Sequence, residues 1–242
     1  MKLKLLSSII FLLCISLFLY LGYWQLERAQ EKEYIAKLYE ERQSSPLKKL
    51  SIIKKGGLEK KHYRNYKVKG RFINQTYLID NKIKNKKPGF NVITPFKVEK
   101  SGEIILVDRG WIPIYGKREN IGKNFDYLNT EGIDKNVQEI DGYIYPREVS
   151  YTIGEISVDN KWPRLIQAID FEEIQKSTLE KDLLVKGIVF RLNPTSSHGF
   201  DRNWKIIFMD SNKHLGYAFQ WFSMAFALVV LTILFLKRKK NE

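Results

Sequence analysis

The sequence predicts two transmembrane α-helices that flank a mainly antiparallel β domain, a barrel or sandwich with one or two short helices. Three observations support this prediction. Long apolar runs lie near both ends of the 242-residue chain, and each is bordered by cations. Between them, apolar and polar residues alternate in short runs separated by turn residues, which is typical of half-buried strands. This middle part has roughly 185 residues, enough for one hydrophobic core.

The first apolar run extends from Leu5 to Leu26 and follows Lys2 and Lys4. A cleaved signal peptide has a shorter apolar core and a cleavage site of small residues. Here the run is long and continues into bulky residues from Tyr20 to Trp24, so we expect it to be retained. Residues 1–26 are therefore predicted to form the first transmembrane helix, and the two lysines place its start in the cytoplasm.

The second apolar run has no charged residue from Ala218 to Leu236, and the basic cluster Lys237 to Lys240 follows it. At ~1.5 Å per residue the run covers about 28 Å, close to the ~30 Å core of a bilayer. We predict a second transmembrane helix over residues 214–236 and a basic cytoplasmic tail over residues 237–242. A buried helix of a soluble protein is the alternative. With both termini inside, the central domain lies outside the membrane.

The first helix is expected to continue beyond the membrane, because apolar residues recur every three or four positions after Leu26. Ser44-Ser45-Pro46 is predicted to end it. The polar stretch from Lys48 to Lys61 is rich in lysine and includes two glycines, and we interpret it as a flexible connection. Residues 27–62 are thus assigned to a helical extension and linker, and residues 63–213 to the β domain.

The strands of the β domain are predicted from alternation and from the residues that interrupt it. Pro95 places one strand at an edge or a corner, and Gly187 allows a bulge or a tight curve in another. Asp170 followed by Glu173 is a capping box for a short helix from Phe171 to about Leu179. The predicted strands are Tyr66–Phe72, Tyr77–Ile79 (ended by Asp80-Asn81), Phe90–Val98, Ile104–Val107, Val137–Tyr145 and Leu183–Leu192, with Trp204–Met209 as a candidate last strand and residues 115–136 as a loop.

The chain is basic, with 41 Lys and Arg against 27 Asp and Glu. A basic surplus often indicates nucleic-acid binding, but a domain outside the membrane meets anionic lipid headgroups or an acidic partner instead, so we expect no nucleic-acid partner. Biased codon usage, which enriches Lys, Ile and Asn, is an equally good explanation. The single cysteine, Cys14, lies in the first apolar run. The β domain therefore has no thiol nucleophile and no cysteine metal ligand.

Candidate catalytic groups are few. Ser196, Ser197, His198 and Asp201 include the residue types of a serine hydrolase, but they lie together in one polar loop and cannot easily form a triad. No glycine-rich phosphate loop follows a strand, and no cluster of Cys and His provides a zinc site. The sequence therefore predicts that the protein is not an enzyme.

The residues that suggest a function lie where both apolar helices reach the outer surface. Spacings of one, four and eight positions place those of the first helix on one face. The second helix carries an imidazole and aromatic rings on a shared face. Because the two helices run in opposite directions, two glutamines are expected at similar depth. The residues are Trp24, Gln25, Arg28 and Lys32 on the first helix and His214, Tyr217, Gln220 and Trp221 on the second.

Two interpretations of this group are open. In one, the aromatic rings mark the membrane interface, the two cations reach the headgroups, and the glutamines form hydrogen bonds between the helices. In the other, the group binds a haem, with His214 on the iron and Arg28 or Lys32 on the propionates. The stacked aromatic side chains suit the macrocycle in this second interpretation.

Four blocks of the sequence carry a resemblance to a known family. They are Leu21–Arg28 with Lys32, Gly89–Phe96, Ile105–Pro113 and His214–Phe222, and together they extend over nearly the whole chain. In this order, and with a helix at each end, the chain resembles the surfeit locus protein one family of assembly factors for cytochrome c oxidase.

The resemblance implies a non-enzymatic function in the respiratory chain, as a chaperone-like assembly factor for the haem-copper terminal oxidase. It implies that the protein assists haem a delivery or insertion into the catalytic subunit, or stabilises that subunit. The catalytic subunit and the haem a synthesis machinery are then expected partners, besides the lipid bilayer. Transient haem a binding would fall on His214. The expected location is the bacterial inner membrane, with the central domain in the periplasm, and a mitochondrial membrane is the alternative that the family allows.

Two positions depart from the family pattern. Asp108 stands where the family usually has Asn, and Gly216 where Gln is common, and we expect both to be tolerated. The segment Arg109-Gly110-Trp111 predicts a strand end and a tight turn. We interpret its Trp as part of the core and its Arg as paired with a carboxylate, with direct ligand contact as the alternative. The competing hypothesis for the whole chain is a membrane-tethered periplasmic binding or sensor domain without haem.

Overall fold

The computed structural model describes residues 2–50, 57, 59–114, 125, 128, 136–146, 162–177, 183–204, 206 and 209–241. Most of the predicted loop 115–136 lies outside these residues. The chain forms two compact units, one made of Met1–Glu40 with Lys205–Glu242 and the other of Glu41–Trp204. The first unit contains both long apolar helices, and the second contains the sheet.

Three α-helices and eight strands are present in the described part of the chain, as expected for two long helices around a β domain with a short helix. The helices are α1 (Lys2–Gln43), α2 (Phe171–Ser177) and α3 (Ser211–Asn241), and a 3₁₀ turn covers Glu59–Lys61. The strands are β1 (Lys48–Lys49), β2 (Asn65–Phe72), β3 (Tyr77–Lys84), β4 (Lys87–Val98), β5 (Ile104–Pro113), β6 (Gln138–Pro146), β7 (Arg164–Ile166) and β8 (Ile188–Leu192).

The two terminal helices, α1 and α3, are each long and apolar enough to cross a membrane. Only 6% of the most apolar stretch of either helix is buried in the protein, whereas a core helix of a soluble protein is mostly buried. α1 ends at Gln43, immediately before the predicted stop. The hydroxyls of Ser44 and Ser45 donate hydrogen bonds to the carbonyl of Glu41, at 2.9 and 3.1 Å, and so satisfy the end of the helix.

Five strands close into a barrel. β2 pairs with β6 and with β4, β8 lies between β6 and β5, and β5 pairs with β4, so the ring is complete. All of these pairs are antiparallel except β5 with β8. β3 and β7 extend the sheet beyond β4, and β1 extends it beyond β2. The predicted mainly antiparallel β domain is therefore confirmed.

The buried apolar side chains form three clusters, and because side chains alternate along a strand, consecutive residues of one strand have different surroundings. The smallest cluster includes Leu78, Phe90 and Ile112, and the other two are larger cores. One core lies on the outer face of β3, β4 and β5, where Phe171 and Ile174 of α2 cover it. The other core fills the barrel and draws on all five strands of the ring. Its members include Val68, Phe96, Val107, Ile144 and Phe190.

Pro95 lies where β4 changes its partner strand. The residues before it pair with β3, and Phe96 to Val98 pair with β2. The carbonyl of Pro95 accepts a hydrogen bond from the N–H of Ile73 at 2.8 Å on this side of the strand. The N–H that proline lacks would point to the same side, between the two partner strands, so no ladder hydrogen bond is lost. The predicted corner is thus confirmed.

α2 begins at the predicted cap. Asp170 Oδ1 accepts hydrogen bonds from the N–H groups of Glu172 and Glu173, at 2.9 and 3.2 Å. These two donors have no partner inside the helix, so the aspartate stabilises its first turn. The described helix ends at Ser177, and the rest of the predicted span, residues 178 and 179, lies outside the described part.

β3 is longer than predicted. Asp80-Asn81 is predicted to end it, but the strand continues to Lys84. Asn81 has a left-handed φ of 58°, which asparagine tolerates, and Asp80 Oδ1 accepts a hydrogen bond from its N–H at 2.7 Å. The register shifts between Ile79 and Lys82. The two polar residues are therefore absorbed in a bulge, and pairing with β4 resumes after it.

β8 is shorter than predicted. It begins at Ile188 and not at Leu183, because Gly187, with a φ of 85°, interrupts the extended backbone. Leu184 makes only an isolated bridge to Ile104. The glycine therefore marks the start of the strand and not a bulge inside it.

Two segments at the borders of the β domain also differ from the prediction. The polar connection includes Lys48–Lys49, which pairs in parallel with β2, so this part of it is not a free linker. In the candidate last strand, the described residues Trp204, Ile206 and Met209 do not belong to a strand. Trp204 instead donates a hydrogen bond from Nε1 to the carbonyl of Leu192, at 2.8 Å.

Candidate functional site

The seam between α1 and α3 is close-packed. A Cβ on Gly22 would lie 2.7 Å from Cε1 of Phe222. Small residues at such positions let two helices approach closely. The rings of Phe18 and Trp221 lie along the same seam with their centroids 5.8 Å apart. The helices are therefore held by direct packing beside their polar contact.

That polar contact joins His214 of α3 to Gln25 of α1. His214 is only 8% exposed, and its Nδ1 lies 2.7 Å from Oε1 of Gln25. An amide oxygen can only accept, so with this oxygen as partner Nδ1 carries the hydrogen and donates it. In the neutral ring, Nε2 then keeps its lone pair. The contact fixes the imidazole tautomer that leaves Nε2 for a metal ion or a hydrogen-bond donor.

Arg28 lies one helical turn after Trp24 and stacks on its ring. The guanidinium carbon is 5.6 Å from the ring centroid, and Nη1 is 2.5 Å from Oε2 of Glu31. Both charged side chains are 45% exposed, so their attraction is screened and contributes less than about 1 kcal/mol. Arg28 can therefore exchange this carboxylate for another at low cost.

The structure brings some of the predicted residues together and separates others. Gln25 contacts His214 and not Gln220, so a histidine–glutamine pair takes the place of the expected glutamine pair. Trp24 and Arg28 are neighbours on one helix. Around these contacts the side chains of Trp24, Tyr217 and Gln220 are exposed, whereas those of Lys32 and Trp221 are half-buried.

The sequence predicts that Arg109-Gly110-Trp111 ends a strand, but the strand continues through it. β5 continues to Pro113, and its register with β4 shifts so that β5 contains one extra residue. Gly110, with a φ of 113°, takes the conformation that a bulge requires. A Cβ there would also lie 2.9 Å from the carbonyl oxygen of Asp201. The predicted turn is a bulge, because the neighbouring strand continues past it.

Arg109 lies inside the barrel and is only 1% exposed. Its Nε donates to the carbonyl of His198 at 2.8 Å, and its Nη1 lies 3.5 Å from Oγ1 of Thr94. The rings of Phe72 and Phe200 lie 5.2 and 4.9 Å from its guanidinium carbon. Burial lowers the pKa of Arg109 to about 10, so it stays charged at neutral pH. The sequence predicts a carboxylate partner for Arg109. The contacts described above are instead with a carbonyl, a hydroxyl and two aromatic rings.

The prediction that Trp111 is part of the core is wrong, because its side chain is only half-buried. Its Nε1 donates a hydrogen bond to the carbonyl of Lys82 at 2.9 Å. The indole crosses β4 at Gly89, where a Cβ would lie 2.4 Å from the ring. Because Gly89 has no side chain, the indole of Trp111 fits against β4 at this point. Trp111 thereby links β5 to β3.

Asp108 and Arg191 form a buried pair on the outer face of the barrel, and sequence reasoning missed it. Oδ2 of Asp108 is 3.8 Å from Nε of Arg191 and accepts a hydrogen bond from Nδ2 of Asn91 at 3.3 Å, while Oδ1 accepts from the N–H of Gly110 at 3.2 Å. Burial raises the pKa of Asp108 to about 6, although Arg191 acts to lower it. Alternation in β5 indicates the face of Asp108, but no sequence signal indicates that β8 lies beside it.

The loop that contains Ser196, His198 and Asp201 makes contacts with the strands of the β domain. Oγ of Ser196 accepts a hydrogen bond from the N–H of Asp141 at 3.2 Å, and the ring of His198 lies 6.3 Å from that of Phe72. Asp201 pairs with Lys84. Within the described part of the chain, no group of three or more His, Cys, Asp or Glu side chains could hold a metal ion.

Comparison with known proteins gives a consistent result. A model of the SURF1 family matches residues 12–226. A SURF1-like protein of Rickettsia bellii is 28% identical, over 96% of this chain and 89% of the relative. The SURF1-like proteins of Rickettsia conorii and Rickettsia felis are 28% and 27% identical, over 98% and 95% of this chain and 92% and 96% of the relatives. Because the family match extends from the first apolar helix into the last, the protein belongs to the SURF1 family.

Proposed function

We propose that this protein is an assembly factor for the haem-copper terminal oxidase, and that it assists haem a in reaching, or staying in, the catalytic subunit of cytochrome c oxidase. The SURF1 family is a family of oxidase assembly factors that are not generally enzymes, which supports the first part. The second part rests on one observation, the hydrogen bond between Gln25 and His214.

The donor set of this contact fits a haem iron. A histidine that binds a metal through one ring nitrogen usually donates a hydrogen bond through the other, which orients the ring and raises its basicity. Gln25 provides that acceptor for Nδ1, so Nε2 of His214 is the nitrogen that would bind iron. Haem a is cargo in this proposal and brings its own redox chemistry. The residues of the protein hold and orient it.

Side chains near His214 fit the rest of a haem. The exposed rings of Trp24 and Tyr217 offer apolar surface for the macrocycle. Arg28 and Lys32 offer positive charge for the propionates, since charge-assisted hydrogen bonds to carboxylates are strong. Arg28 would give up only an exposed contact with a glutamate of its own helix.

We also propose a location in the bacterial inner membrane with both termini in the cytoplasm. The basic residues Lys2, Lys4 and Lys237–Lys240 support this orientation, and the length of α1 and α3 fits a lipid bilayer. The haem a synthesis machinery is the proposed donor of the cargo. The proposed spans are residues 1–26 and 214–236, with 27–62 as extension and linker, 63–213 in the periplasm and 237–242 as cytoplasmic tail.

Haem binding is tested on the full-length protein, co-expressed with the enzymes of haem a synthesis and purified in detergent. We expect a Soret band from the wild type and its loss in His214→Ala, because the iron ligand is removed. Asn212→Ala, a substitution at an exposed position of the same helix outside this group, is the matched control and should keep the band. Full haem occupancy in His214→Ala would refute the ligand assignment.

The assembly function is tested by deleting the gene and measuring oxidase activity and haem a content in membranes. We expect both to fall and to return when the wild-type gene is restored. Unchanged values in the deletion strain would contradict the assembly function. If the protein restores the oxidase but never shows a Soret band, haem binding is rejected and the assembly function is retained.

A further inference from the structure

A partly enclosed cavity with a volume of about 60 Å³ lies on the outer face of the barrel. Five strands contribute to its wall, β3, β4, β5, β6 and β8, together with the segment that follows β7. The wall is mixed in character, with charged and polar groups beside aliphatic ones. The polar members include Lys82, Asn91, Asp108 and Arg191, and the aliphatic members include Ile79 and Val189.

The described wall carries two cations and one carboxylate. Arg191 is held between aromatic rings, since its guanidinium carbon lies 3.4 Å from the ring centroid of Tyr145 and 5.0 Å from that of Trp204. Lys82 adds positive potential at the carboxylate of Asp108. The charge of the wall is therefore positive whether or not Asp108 is ionised, which favours an anion as its occupant.

We propose that this cavity binds a carboxylate group on a short aliphatic stem, with Arg191 and Lys82 as its cationic partners. A guanidinium group binds a carboxylate through paired N–H donors in a fixed geometry. A volume of about 60 Å³ holds roughly four water molecules, which is room for a carboxylate and a few carbon atoms. The aliphatic part of the wall suits the stem. The group belongs either to a small free acid or to an acidic side chain of a partner peptide.

Asp108 couples this binding to a proton. Burial raises its pKa to about 6, and an entering anion places a second negative charge beside it, which favours the protonated form further. By linkage, the ligand then binds more tightly at about pH 5 than at about pH 8. The groups that face Asp108 or share the cavity wall with it are Lys82 of β3, Asn91 of β4, the N–H of Gly110 in β5, Tyr145 of β6, Gln167 after β7 and Arg191 of β8.

The test uses the full-length protein in detergent, labelled with 5-fluorotryptophan. The ¹⁹F signal of Trp204, which lies beside Arg191, reports on the cavity and is assigned with Trp204→Phe. Butyrate is the probe, and butyramide, of the same shape without charge, is the control. We expect a saturable shift with butyrate at a dissociation constant of about 1–50 mM, and none with butyramide. Equal shifts with both compounds, or no saturable shift with butyrate, would overturn the proposal.

Two substitutions each remove one cation from the wall. We expect Arg191→Gln and Lys82→Gln to weaken butyrate binding by roughly tenfold or more, as the loss of one charged partner predicts. Lys84→Gln removes a cation of the same strand that pairs with Asp201 outside the cavity, and it should leave binding unchanged. With two variants, misfolding of Arg191→Gln does not remove the test. Unchanged butyrate binding in either variant, when that variant is folded, would contradict the proposal.

Asp108→Asn tests the coupled proton. If the anion raises the pKa of Asp108 by about one unit, wild-type binding weakens about tenfold between pH 5 and pH 8. With concentrations expressed as butyrate anion, since part of the probe is protonated at pH 5, the asparagine variant should bind equally at both pH values. A pH dependence that persists in this variant would assign the proton to another group.

Two blocked peptides, Ala-Glu-Ala and Ala-Gln-Ala, distinguish the sources of the carboxylate. A shift with the glutamate peptide at lower concentration than with butyrate identifies a partner side chain, and binding of butyrate alone identifies a small acid. Both results support the carboxylate site. Equal shifts with the two peptides would count against it, because the glutamine peptide lacks the charge.

Discussion

His214 and Gln25 are 189 positions apart in the sequence, and Nδ1 of the histidine lies 2.7 Å from Oε1 of the glutamine. The contact joins α3 to α1 at a point where the histidine is buried. Because Nδ1 is used for this hydrogen bond, further chemistry of the ring is left to Nε2. One contact therefore packs the two helices and sets the tautomer of the imidazole.

Gln25→Leu removes the acceptor and keeps a side chain of similar size. We expect the affinity for haem to fall by roughly 10-fold to 100-fold, because the ring loses its orientation and part of its basicity. The measurement is a haem titration followed by absorption. Gln30→Leu makes the same change at an exposed position of the same helix and should have no effect. Equal affinities of Gln25→Leu and the wild type would mean that His214 binds haem without this partner, or not at all.

Gly22→Leu tests the close approach of the two terminal helices. The new side chain meets the ring of Phe222, which would have to move, and we expect a loss of about 1–3 kcal/mol of stability. The measurement is thermal unfolding of the full-length protein in detergent. The double variant with Phe222→Ala should recover part of the loss. At Gly216 a Cβ meets nothing within 4 Å, so Gly216→Leu is the control, and a loss as large as that of Gly22→Leu would argue against the clash.

Asp108 predicts a pH dependence of stability. Burial raises its pKa from 3.8 to about 6, so the folded chain binds the proton more tightly than the unfolded chain. Its contribution to stability is fully present below pH 3.8 and is lost as the pH rises through about 6. A shift of about two units corresponds to roughly 3 kcal/mol at most. We expect Asp108→Asn to unfold at higher urea concentration than the wild type at pH 8, and the difference to disappear near pH 4.

The control for this pH dependence is Val137→Ala, which removes no titratable group and lies at a position that is 47% exposed. It should leave the slope of stability against pH unchanged. The same slope in Asp108→Asn and the wild type would contradict a raised pKa at Asp108.

Arg109 is expected to stabilise the barrel from inside. Arg109→Met keeps most of the volume but leaves the carbonyl of His198 without this donor, and we expect a loss of about 1–3 kcal/mol. Arg109→Ala adds a cavity, so its loss should reach about 3–5 kcal/mol. Urea unfolding of the full-length protein measures both. Arg71→Ala, at an exposed position of β2, should stay within about 0.5 kcal/mol of the wild type, and wild-type stability of Arg109→Met would contradict the assigned contacts.

Three of the misplaced strand boundaries have a common cause. Each lies at a residue with positive φ, Asn81 in β3, Gly110 in β5 and Gly187 before β8. Asparagine and glycine adopt this conformation in turns, in bulges and at the ends of strands. Which of the three occurs depends on whether a neighbouring strand continues beside the residue, and that neighbour is distant in the sequence. Local patterns therefore locate the interruption but not its kind.

The sequence by itself determined the features that depend on neighbours along the chain. Length and apolar composition predicted both long helices, alternation predicted β2 and β6, and Asp170 predicted the start of α2, because periodicity and capping act within a few residues. The tertiary structure alone decided that Gln25 meets His214 and that Asp108 lies beside Arg191. The first contact requires a particular rotation of two helices against each other, and the second requires the parallel pairing of β5 with β8. Segments far apart in the chain make both contacts, so no local pattern encodes them.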